Sequence, residues 1–68
     1  MNEKVQLAIR QQMTLIRAEP DHNDARAHYY ETTGMLRGLF YGHLIDSMQL
    51  VELTMLAGSA YNNAGKPW

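Results

Sequence analysis

Two interruptions, Glu19-Pro20 and the turn between Gly42 and Asp46, cut this chain into three segments of helical periodicity. No other feature limits the fold as much. Proline pushes the residue before it out of the α region, so a helix from about Asn2 to Ala18 ends there. Within it, Val5, Ala8, Ile9, Met13 and Ile16 recur at three- and four-residue spacing and make one apolar stripe, with Leu7 and Leu15 off it. "PDHND" then reads as a turn that starts a second helix over 22–41. Asp21 or Asn23 can cap that helix, and Asp24 puts negative charge in the first turn, where the helix dipole favours it. Ala25, Tyr29, Thr32, Leu36, Leu39 and Phe40 form its inward stripe, and Gly42 suits the left-handed position that closes a helix.

Asp46 followed by Gln49 gives a capping box with Asp in place of Ser or Thr, and Ile45 with Leu50 matches a hydrophobic staple. A third helix over 47–62 follows, with Leu50, Leu53, Ala57, Ala60, Tyr61 and Ala64 facing inward. "NNAGKPW" reads as a fraying end, so residues 1–64 form the domain and 65–68 a short tail that ends in Trp68. Connections of about four residues imply antiparallel neighbours. The expected architecture is all-α, with three short antiparallel helices in a homodimer. A hairpin of the second and third helices, with the first donated to a partner chain, is the competing arrangement.

Size supports self-association. A chain of 68 residues buries roughly 60% of its unfolded surface, which leaves a marginal core. It has no cysteine, so disulfides and thiolate zinc sites are excluded and helix packing or oligomerisation must compensate. Six Lys and Arg against seven Asp and Glu give a net charge of −1 with no block of like charge, and hence no electrostatic footprint for nucleic acid or an anionic membrane. "MNEKVQLAIRQQ" lacks the unbroken apolar core of a secretory signal. The longest apolar window, around Leu36 to Ile45, is interrupted by Arg37 and His43 and is too short to span a bilayer. The expected setting is the cytoplasm, away from membranes.

Groups for chemistry are sparse. Asp24, His28 and Glu31 have i, i+4 and i, i+3 spacing, but no two histidines lie close and no HExxH frame occurs, so no metal or cofactor is expected. No Ser or Thr sits beside a histidine in sequence, and a domain this small has little room for a substrate pocket, so the chain reads as a non-enzyme.

Contact residues are more prominent. Met48, Val51 and Met55, with Glu52 and Ser59 alongside, form a second strip on the third helix that one small core cannot easily cover. Met35 on the second helix also lies off its inward stripe. Arg26, Tyr30, Thr33, Arg37 and Tyr41 share one face of the second helix, and Arg and Tyr are both enriched at protein interfaces. Gly34, Gly38 and Gly42 run along one ridge; either it admits another helix closely, making the second helix the central element, or Gly42 is a helix cap and Gly34 and Gly38 are simply tolerated on an exposed face. These features point to a small regulator or inhibitor that binds another protein or itself. Met48, Val51, Glu52 and Met55 form its first contact surface, and Arg26, Tyr30, Arg37 and Tyr41 its second. The alternative is a nucleic-acid-binding regulator that uses the Arg/Tyr face, although the third helix carries no Lys or Arg for phosphate contacts. "GMLRGLFYGHLIDSMQLVELTMLA", about a third of the chain, resembles the helix–LID–helix hairpin of small bacterial and phage proteins. It names no family. The size is that of a phage or mobile-element protein.

Overall fold

The computed structural model describes residues 1–66 and holds three helices, α1 (Glu3–Ala18), α2 (His22–Tyr41) and α3 (Ser47–Asn62). Local chemistry sets each start. The Asn2 side chain accepts from the backbone of Lys4 and Val5, and Asp21 accepts from Asn23 and Asp24. At Asp46 the full reciprocal box forms: its carboxylate accepts from Gln49 N at 2.7 Å, and Gln49 Oε1 accepts from Asp46 N at 3.0 Å. Such a cap is worth about 1 kcal/mol. Glu19 is extended, as a residue before proline should be, and ends α1.

Every helix packs against the other two, so α1 folds onto its own chain. Val5, Ile9, Leu36 and Ile45 form the centre of the core, with Met13, Leu39, Phe40, Leu50 and Leu53 against it. Ile16, Ala25 and Ala57 extend it and are fully buried. Each large side chain buried this way contributes about 1.5–3 kcal/mol. Thr32, the buried polar residue, donates to His28 O at 2.8 Å and lies 3.3 Å from Gln12 Oε1, a polar link between α1 and α2. Ile45 and Leu50 join the same core, as the staple requires.

Four expectations change. Gly42 has φ −82°, and the left-handed residue is His43, at φ 61°. Leu44 N donates to Leu39 O and His43 N to Phe40 O, the paired bonds of a Schellman closure. The register follows from Ile45, which is only 4% exposed and has to reach the core immediately after the turn. Met35 packs against the core. No helix approaches Gly34 or Gly38: both are exposed, and a Cβ at either would meet nothing within 4 Å, so the ridge is not a contact inside the chain. Nor does the end of α3 fray through residue 66. Arg17 donates to the carbonyls of Asn63 and Lys66, and Gly65 N donates to Arg17 O at 2.9 Å. Gly65 has φ +74° and lies so close to Pro20 that a Cβ would come within 3.0 Å of Pro20 Cα. Trp68 lies outside the described residues. Among those residues, no helix is long and apolar enough to cross a membrane.

Candidate interaction surface

The composition of α3 determines the surface. Its 16 residues include one charge, Glu52, and no cation. At about 100° per residue, Leu50, Leu53 and Ala57 point to one side while Met48, Val51 and Met55 point to the other. The first set packs inside. The second is open to solvent, with Met48 and Met55 each 69% exposed and Val51 58%. A helix apolar on opposite faces is normally covered on both. Here one of those faces is bare.

α2 supplies the facing wall. Tyr30, Gly34 and Arg37 on α2 and Leu50, Val51 and Met55 on α3 line an open groove of about 700 Å³. Half of each surface read from the sequence, Tyr30 and Arg37 of one and Val51 and Met55 of the other, thus lines a single groove. Tyr30 and Arg37 are exposed at its edge. Met48 and Glu52 lie further round α3, exposed and outside the lining. Arg26 and Tyr41 do not join the groove. They stand 15 residues apart on α2, about 22 Å at 1.5 Å per residue. Tyr41 borders a second depression with Phe40, Leu44 and Ser47.

Aromatic stacking connects the groove to the far end of α3. Tyr30 and Tyr29 have ring centroids 5.6 Å apart, Tyr29 stacks on Tyr61 at 5.4 Å, and Tyr61 stacks on His22 at 5.0 Å. Tyr61 Oη and His22 Nε2 are hydrogen-bonded at 2.7 Å. Ring pairs of this kind add about 0.5–1.5 kcal/mol beyond area burial. They fix how α2 and α3 sit beside each other, and hence the shape of the groove. Sequence reasoning missed this stack, because its members are 39 and 32 residues apart and share no local period.

The histidines are dispersed: His22 is in the stack, His43 is in the turn, and His28 Nε2 lies 3.7 Å from Glu19. Among the described residues no three His, Asp or Glu side chains converge as metal ligands would. Leu7 and Leu15 on α1, Leu56 on α3 and Leu44 in the turn are also exposed, and the last two escaped the sequence reading. Ten large hydrophobic residues are exposed among the described residues. No family model, curated protein or solved structure matches the chain.

Proposed function

We propose that this protein is a small non-enzymatic regulator that works in the cytoplasm by helix–helix contact, docking its α2/α3 face on another protein chain. One observation carries the reading: α3 leaves Met48, Val51 and Met55 bare on a helix with a single charge. Flexible methionines beside a tyrosine and an arginine match the residue types enriched at interfaces. In this reading α2 runs antiparallel to both α1 and α3, which run the same way. Tyr61, at the end of α3, stacks on His22, at the start of α2, and Arg17, at the end of α1, holds the segment after α3. Binding to nucleic acid is the weaker reading, because the chain as a whole has a net charge of −1 and α3 carries no cation.

Site-specific photocrosslinking in cells tests the proposal. A photoreactive residue at Met55 should give protein adducts, and one at Glu31, also exposed but elsewhere on α2, should give none. Equal adducts at both positions, or none at Met55, would refute docking through this face. Adducts to nucleic acid at Tyr30 or Tyr41 would favour the other reading.

A further inference from the structure

Resting on that reading of the α2/α3 face, we infer that its occupant is a second copy of this chain. The two copies pair about a two-fold axis along α3, with Arg37 of each protomer facing the partner's Glu52. The Tyr29–Tyr61 stack, at 5.4 Å, sets these two residues at one height along the helices. Arg37 lies eight residues after Tyr29, and Leu53 eight residues before Tyr61. With α2 and α3 antiparallel, both are displaced about 12 Å the same way, and Glu52 is offset from Leu53 by about 1.5 Å. Arg37 and Glu52 therefore share a height. Around the surface, Arg37 stands on the α2 wall, Val51 and Met55 on the α3 wall, and Glu52 about 100° beyond Val51, on the side away from α2.

The face reads cation, apolar strip, anion, in that order at one height. Turning a copy by half a rotation about an axis along α3 reverses the order and keeps the height, so each charge meets its opposite and the apolar strips meet each other. An axis across the helices would leave cation over cation. A face that matches itself under a two-fold rotation is what an isologous dimer needs. Neither Arg37 nor Glu52 has an ion-pair partner within the chain among the described residues. A standard interface covers about 800 Å² on each partner, roughly a sixth of the 4758 Å² surface here.

Sedimentation equilibrium on the purified chain tests this. The wild type should be a dimer. Arg37→Glu or Glu52→Arg should each raise the dissociation constant about tenfold or more, since every dimer holds two such pairs and each reversal sets like charges together. The double variant should recover most of the wild-type affinity. High salt should shrink the differences. Circular dichroism checks that the variants fold, as expected for exposed positions. A wild type that stays monomeric overturns the inference, as does a dimer that either reversal leaves unchanged or the double variant fails to rescue. Adducts at Met55 to a different protein would then show that the docking reading survives without self-pairing.

Discussion

Gly38→Ala tests the accounting of the glycine ridge directly. An interior helical glycine costs about 0.5–1 kcal/mol relative to alanine, mainly because its backbone has more freedom to lose. At Gly38 an added Cβ meets nothing within 4 Å, so no steric term opposes the gain, and Gly34 is open in the same way. The double variant should therefore gain about 1–2 kcal/mol. For a domain of this size that is a rise of about 5–15 °C in melting temperature. Gly65→Ala is the counter-case. Its positive φ and the 3.0 Å approach to Pro20 Cα should make it destabilising, by about 1–2 kcal/mol from the left-handed backbone alone. Thermal melts followed by far-ultraviolet circular dichroism, on dilute protein, read all three changes. A Gly38→Ala variant no more stable than wild type would mean that a backbone does lie against the ridge, and the open face described here would be wrong.

Val51→Asp and Met55→Asp should each abolish association while circular dichroism stays unchanged, because both side chains lie outside the core. Loss of helicity together with association would mark them as core residues. His43→Gly should stabilise the fold by about 0.5–1 kcal/mol by relieving the left-handed backbone at the end of α2, measured by urea denaturation. An unchanged midpoint would refute that account of the turn.

What the sequence made legible was local. Pro20, the Asp46–Gln49 box and the apolar stripes each act within a few residues, and together they placed all three helices. The two walls of the groove could be named separately, since each is one face of one helix. That they meet depends on the stacking of Tyr29 on Tyr61, a pairing with no local signature. The turn shows the same limit. Glycine is the residue that fits a left-handed position most easily, yet that position falls on His43, two residues before the buried Ile45. Met35, off the inward stripe by angle, was drawn into the core by its long flexible side chain.

The Arg17 clamp has a kinetic consequence. Its hydrogen bonds span 46 and 49 residues of chain, whereas only the short segment from Gly42 to Asp46 joins α2 to α3. Loop-closure entropy is paid before a distant contact returns anything, so the nearby α2/α3 hairpin is favoured to assemble early and the clamp to close late. A contact that closes after the rate-limiting step governs escape from the native state more than arrival in it. Arg17 should thus act as a latch on the finished fold: an Arg17→Ala variant is expected to fold at nearly the wild-type rate and unfold sooner, read from the two arms of a stopped-flow denaturant series.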